Sequence, residues 1–195
     1  LESEVLYDLL DIMNGNCNAE IKLFSNNMKK IKTYKVLPLK IYVSTYYGRR
    51  YVLVWNYIFK RFAFYRLDRI KEVCKSNECT NKNEIMMRAD TTVQKLWGVS
   101  FGKENYIEKL EMTVRIAKDE EYILKRLERE KRNGTIQKLA NGDYKFMTEV
   151  YDASEMVPWI KTFTGRIVEI KCSNERVEKQ IKEDFEMMKR IYEVR

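Results

Sequence analysis

Residues 48–70 read Gly48-Arg49-Arg50-Tyr51-Val52-Leu53-Val54-Trp55-Asn56-Tyr57-Ile58-Phe59-Lys60-Arg61-Phe62-Ala63-Phe64-Tyr65-Arg66-Leu67-Asp68-Arg69-Ile70. Tyr47-Gly48-Arg49 is a hairpin turn, because glycine supplies the positive φ that the tight turn needs. Residues 50–58 are dense in β-branched and aromatic side chains and form a strand. A second turn near Phe59–Arg61 leads into another, 62–67. Side chains alternate across a strand, so Arg50, Val52, Val54 and Asn56 share one side, with Tyr51, Leu53, Trp55 and Tyr57 on the other. In the next strand Phe62, Phe64 and Arg66 oppose Ala63, Tyr65 and Leu67. Arg66 thus follows two apolar neighbours on its own face. An arginine in that position either pairs with an acid inside or stands at the rim of a pocket.

The same pattern extends upstream. Residues 30–43 are extended, with Pro38 inside, which implies a bulge or an edge. Residues 19–24 are a short strand and 3–13 a helix with Val5, Leu6, Leu9, Leu10 and Met13 at helical spacing. Several short antiparallel strands joined by tight turns predict a small barrel or rolled sheet. Charge concentrates here. Between 28 and 71 there are 12 lysines and arginines against Asp68 alone, a net of +11 in a chain whose total is +8, so the remaining residues sum to −3. Eleven of the 24 aromatic residues lie in the same window. Interleaved cations and rings suit single-stranded nucleic acid, in which bases stack and phosphates are neutralised. A β-core with a solvated basic face would produce the same composition, although such faces ordinarily mix signs.

The 195 residues, 45% hydrophobic, suffice for one domain or two small ones. Histidine is absent, which removes Ser–His–Asp and Cys–His nucleophile systems and His-ligated zinc. No apolar run approaches the ~20 residues of a membrane span. Cys17, Cys74, Cys79 and Cys172 form no CxxC pair, and free thiols in a reducing cytoplasm are expected. No metal site, cofactor or catalytic residue is assigned. Carboxylate runs such as Asp119-Glu120-Glu121 and Glu183-Asp184 lie in helical charge patterns and read as solvated.

Residues 74–107 are polar at first and predict a linker, with a helix at Met86–Leu96. From 108 the pattern is strand (108–117), helix (118–132), two strands around Asn141-Gly142 (135–139 and 144–150), helix (152–163), strand (165–170) and a last helix (174–192). Asp152 and Glu155 stand at capping-box spacing. This βαββαβ order is ferredoxin-like, and its 19 bases and 18 acids leave it nearly neutral. Val177, Ile181, Phe185, Met188 and Ile191 form an apolar stripe on the last helix that packs on its own sheet or on a second subunit.

Pro38-Leu39-Lys40, Gly48 through Val54, and Phe64 through Ile70 resemble the WYL domain, named for a Trp-Tyr-Leu stretch; here Arg50-Tyr51-Val52 occupies that place. Trp97-Gly98-Val99 is similar to the segment that follows such domains. Residues 108–195 resemble their C-terminal extension through Pro158-Trp159-Ile160-Lys161 and Phe163-Thr164-Gly165. The resemblance implies an α+β chain: an Sm/SH3-like β-barrel with its N-terminal helix (1–73), a linker (74–107) and a ferredoxin-like extension (108–195). It further implies the ligand-sensing, oligomerising part of a bacterial transcription regulator, homodimeric, cytoplasmic, and attached to duplex DNA through an N-terminal winged helix-turn-helix that is not recognisable here, as if the chain were a truncated piece. The implied ligand is single-stranded DNA or another nucleotide-like anion. Motif positions are Tyr51, Arg66 and Arg69, the arginines on phosphates; the competing reading is that Arg66 and Asp68-Arg69 form a structural ion pair that closes the last barrel turn. Arg50, Tyr46, Tyr65 and Ser44 join them from local sequence, with Tyr51 or Tyr65 stacking a base. The alternative is a single-stranded RNA- or DNA-binding accessory module with no switching role.

Overall fold

The structure, a computed structural model, describes residues 2–26, 28–44, 48–102 and 106–193. It divides into two compact units, Leu1–Val93 and Gln94–Arg195. The fold class is α+β, with two antiparallel sheets and five α-helices among the described residues.

The first unit opens with α1 (Glu2–Asn14), followed by β1 (Cys17–Ser25), β2 (Lys30–Ser44), β3 (Arg49–Asn56) and β4 (Arg61–Arg66). A 3₁₀ turn at Leu67–Arg69 leads to β5 (Ile70–Glu78) and then α2 (Lys82–Val93). The strand order is β4-β3-β2-β1-β5, all antiparallel. β4 and β5 are the edges, and no pairing closes one onto the other among the described residues. Proline has no N–H for the ladder, and the β2–β3 register slips between Pro38 and Lys40, the bulge that the sequence implied. Helix α1 buries Val5, Leu9 and Ile12 rather than Leu10, which is 43% exposed. They pack against one sheet face through Ala19, Ile21, Val36, Val52, Val54, Tyr65 and Leu67. On the opposite face Leu37, Leu53 and Phe62 are buried. There α2 lays Arg88 over the Trp55 ring at 4.7 Å and ties Asp90 to Lys40 at 2.5 Å.

Residues 74–78, which the polar composition assigns to the linker, instead continue β5 against β1. The following helix begins at Lys82 and not Met86. Polar side chains on an edge strand read as loop in sequence because half of their backbone partners lie fifty residues away.

In the second unit β6 (Glu108–Val114), α3 (Glu121–Glu130), β7 (Thr135–Lys138) and β8 (Tyr144–Val150) precede a 3₁₀ turn at Ala153–Met156. Then come α4 (Val157–Lys161), β9 (Ile167–Cys172) and α5 (Glu175–Glu193). The order is β7-β8-β6-β9, again antiparallel. Phe146, Leu127, Met156, Ile160 and Phe163 fill its core, joined by Val177 and Ile181 of α5. The stripe on α5 therefore begins on its own sheet, and only its far end is left to solvent, with Ile191 66% and Tyr192 77% exposed. Half of the expected capping box forms. Asp152 accepts from the Ser154 N–H at 3.1 Å, but Glu155 turns away and accepts the Val99 and Ser100 N–H groups at 3.1 and 3.0 Å. That contact ties down Trp97-Gly98-Val99, and a Cβ at Gly98 would lie 2.5 Å from the Glu155 carboxylate.

The four cysteines are free thiols, Cys17 and Cys172 buried. No helix is long and apolar enough to cross a membrane among the described residues.

Candidate functional site

Register decides which of the sequence-predicted residues can meet. Tyr42 opposes Tyr51, Tyr51 opposes Arg66, and Ser44 opposes Arg49. Directly opposed residues share a face, so Ser44, Arg49, Tyr42, Tyr51, Phe64 and Arg66 lie on the face that also carries Lys40. Arg50 and Tyr65 lie on the other face. Arg50 reaches back to helix α1, where its Nε meets Glu2 Oε1 at 2.9 Å. Tyr65 is buried against the α1 side and its hydroxyl accepts from Asn56 Nδ2 at 2.7 Å. Tyr46 lies outside the described residues. Ser44 closes the β2–β3 turn, its carbonyl accepting the Gly48 N–H at 2.8 Å.

Strand β4 ends at Arg66, and the 3₁₀ turn that follows places Asp68 and Arg69 beside it. The Arg66 guanidinium forms a fork to the Asp68 carboxylate, Nε to Oδ1 at 3.0 Å and Nη2 to Oδ2. This is one of the two alternatives that the sequence left open for Arg66. The carboxylate is not internal, however; its side chain is 48% exposed while that of Arg66 is 20% exposed. Asp68 is held below the ordinary carboxylate range, first by the hydrogen bond from Arg66 and then by the fields of Arg66, Arg69 and Arg49. Arg66 thus pairs with a half-exposed carboxylate, with Arg49 on the same sheet face and Arg69 in the adjoining 3₁₀ turn adding their fields. The fork holds Arg66 from the covered side, while half-exposed Asp68 leaves the cluster open to an anion that joins or displaces the carboxylate.

Rings wall this site. Phe64 meets Tyr42 edge-on at 5.2 Å and Tyr51 at 6.3 Å. Burial pushes the Tyr42 hydroxyl above its ordinary pKa, while Lys40 is raised by its hydrogen bond to Asp90. Tyr51 is buried to 8% exposure and its ring packs with Phe64. The arrangement can accept a compact anion through forked guanidinium contacts, with tyrosine hydroxyls at hand. Among the described residues no group of three or more Cys, Asp or Glu side chains is placed to hold a metal.

Sequence reasoning missed Arg49 and Tyr42. Part of the signal was present: alternation had already put Tyr51 opposite Arg50 in facing, and the register that pairs Tyr42 with Tyr51 and Ser44 with Arg49 selects Arg49 in place of its neighbour.

No protein-family model and no curated protein sequence matches the chain. Among solved structures it is similar to a CRISPR Cas-related protein, with a TM-score of 0.63 and 12% identity over 100% of this chain and 54% of the other. That likeness is one of fold. Proteasome accessory factor B/C (PafBC) of Arthrobacter aurescens aligns at a TM-score of 0.44 and 11% identity over 95% of this chain and 26% of its own. The chain spans about half the length of the first and a quarter of the second.

Proposed function

We infer that this chain is the ligand-sensing and oligomerising portion of a WYL-type transcription regulator, and that it binds a nucleotide-like anion or a nucleic-acid strand end at the Arg66–Arg69–Arg49 cluster. The observation that carries the reading is the Arg66 fork on half-exposed Asp68, opposite Tyr51, with Arg49 on the same sheet face and Arg69 in the adjoining turn. The strand order β4-β3-β2-β1-β5, with a helix first and a 3₁₀ turn before the last strand, supports an Sm/SH3-like roll. The order β7-β8-β6-β9 with βαββαβ connectivity supports a ferredoxin-like extension. The shared fold with a larger protein at 54% coverage fits a chain that works beside further segments, here a DNA-binding one. A homodimer would form through the far end of α5, where Met187, Ile191 and Tyr192 stand exposed. The protein would act in the cytoplasm by binding and not by turnover. A ligand switches such a module only through different affinities for two arrangements.

The test is a titration of the full chain with fluorescent pTpT at several salt concentrations. Arg66→Ala and Arg69→Ala should each weaken binding roughly tenfold, as loss of a charge-assisted contact does. Binding that is indifferent to salt and to both substitutions would reject the site. Binding with no change in dimer geometry by scattering would favour the non-switching accessory module.

A further inference from the structure

The β3–β4 turn, residues 57–60, stands at the other end of its strands from Arg66. Two large apolar side chains there face water, Ile58 at 60% and Phe59 at 54% exposure. The turn is nevertheless tightly built. Asn56, 1% exposed, uses Oδ1 to accept the Ile58 and Phe59 N–H groups at 2.9 and 3.0 Å while its Nδ2 donates to Tyr65. Lys60 adopts φ +49°, a left-handed conformation unfavourable for a side chain of its kind. Tyr65 packs on Tyr34 with ring centres 5.6 Å apart, and Tyr34 lies 6.2 Å from Phe59. Arg61 sits over the Phe59 ring at 5.5 Å. A buried amide and two buttressing rings thus hold a phenyl ring in solvent.

The register supplies the surroundings. Val36 opposes Asn56 and the Tyr57 N–H donates to the Lys35 carbonyl at 3.2 Å, so residues 30–34 of β2 run past the end of β3 and pair with β1. On the face of this arm that carries Tyr34, the alternate residues are Lys32 and Lys30, roughly 7 Å apart along the strand. Lys60 and Arg61 border the turn. Among the described residues no carboxylate pairs with Lys30, Lys32, Lys60 or Arg61. An apolar patch alone would suit another protein, and a basic patch alone would be a solvated face. A fixed, exposed ring stacked by a cation and bordered by unpaired cations is complementary to a polyanion with flat apolar faces.

We propose that the β3–β4 turn and the β1–β2 arm form a stacking platform for single-stranded nucleic acid. Phe59 lies under a base, Arg61 and Lys60 hold the adjoining phosphates, and Lys32 and Lys30 continue the phosphate path. Asn56 and Tyr65 are positioning residues. This surface lies on the opposite sheet face from the Arg66 cluster and does not depend on it.

The experiment is fluorescence anisotropy of the full chain with a labelled 20-nucleotide oligo(dT), run beside the pTpT titration. The wild type should bind the oligonucleotide with a strong inverse dependence on salt. Phe59→Ala, at an exposed ring whose loss leaves the core intact by circular dichroism, should weaken it roughly tenfold, the effect of one stacked base. Phe59→Trp should restore it. Lys30→Ala with Lys32→Ala should reduce the slope of log affinity against log salt by about 1.4. Phe59→Ala should weaken the oligonucleotide by the same factor in the Arg66→Ala background as in the wild type and leave pTpT affinity unchanged, so failure at the anion cluster and failure here are separable. An oligonucleotide affinity unchanged by Phe59→Ala, or no binding at all, would overturn the proposal. So would retention on anionic vesicles, or self-association, that Phe59→Ala abolishes while oligonucleotide binding stays absent.

Discussion

The two units differ in their balance of cations and acids: a net +11 over residues 28–71 against 19 bases and 18 acids over 108–195. In the second unit Arg115 reaches the buried Asp143 and Arg166 reaches Glu120, while Glu130 takes Arg126, Arg129 and the Trp159 indole. In the first unit Arg66 forks onto Asp68, whose carboxylate also feels the fields of Arg69 and Arg49, and Arg61 leans on a ring. Satisfied pairs fix geometry and leave little field; cations in excess of acids leave a field that only a ligand can answer. The number of acids within reach, not the number of arginines, separates framework from binding surface.

The contrast breaks first if the four-stranded unit is not the rigid one. A Cβ at Gly134 would stand 2.1 Å from Cε2 of Phe146, a fully buried ring packed edge-on to Trp159 at 5.3 Å. Neither ring can swing aside in a filled core. Gly134→Ala should therefore cost about 3 kcal/mol, read as an earlier urea midpoint in the emission of Trp97 and Trp159, with pTpT affinity in native buffer unchanged. A loss below about 1 kcal/mol would mean a softer core than this packing describes.

The five-stranded unit has its own rigid point, and it titrates. Burial pushes the Tyr65 hydroxyl up to about 12, only partly offset by the Asn56 amide. Because the folded value lies above the ordinary value of about 10, the unfolded chain loses that proton first. The contribution is complete below pH 10 and disappears as pH rises through 12; it amounts to about 2–3 kcal/mol for a shift of two units. Absorbance of tyrosinate should show Tyr65 ionising late and together with unfolding of this unit. Ionisation near pH 10 with the fold intact would remove Tyr65 from the role of buttress.

Much of this is legible in the sequence. Alternation along 50–67 placed every face correctly, Pro38 announced its bulge, and the βαββαβ order emerged from periodicity alone. What was not legible depends on pairing between distant segments. Arg50 looked like a ligand contact because its partner, Glu2, lies 48 positions upstream on a helix. Tyr65 looked like a stacking ring because Asn56 and Tyr34 are neighbours only once the sheet forms. The short run Ala153–Lys161 read as a single helix, yet Pro158 near the start of α4 leaves a 3₁₀ turn before it. Glu155 then serves a loop 55 residues away instead of its own helix end.

The smallest effect tests the comparison at its centre. If counter-ions outnumbered by cations mark the binding surface, removing such an acid should improve binding, where removing one from the balanced unit should not. Asp68→Asn keeps the shape of the side chain and part of its hydrogen bonding to Arg66 but frees the guanidinium from an anion competing for the same fork. Since exposed pairs are worth about 0.2–1 kcal/mol, pTpT affinity should rise by roughly twofold to fivefold, most at low salt where the three cations are least screened. Asp143→Asn, beside Arg115 in the other sheet, should leave affinity unchanged and lower stability, because that carboxylate is 5% exposed and also accepts from the Asn141 amide. If Asp68→Asn instead weakens pTpT binding, the carboxylate orients Arg66 for the ligand and does not compete with it, and the acid-counting rule fails at the site from which it was drawn.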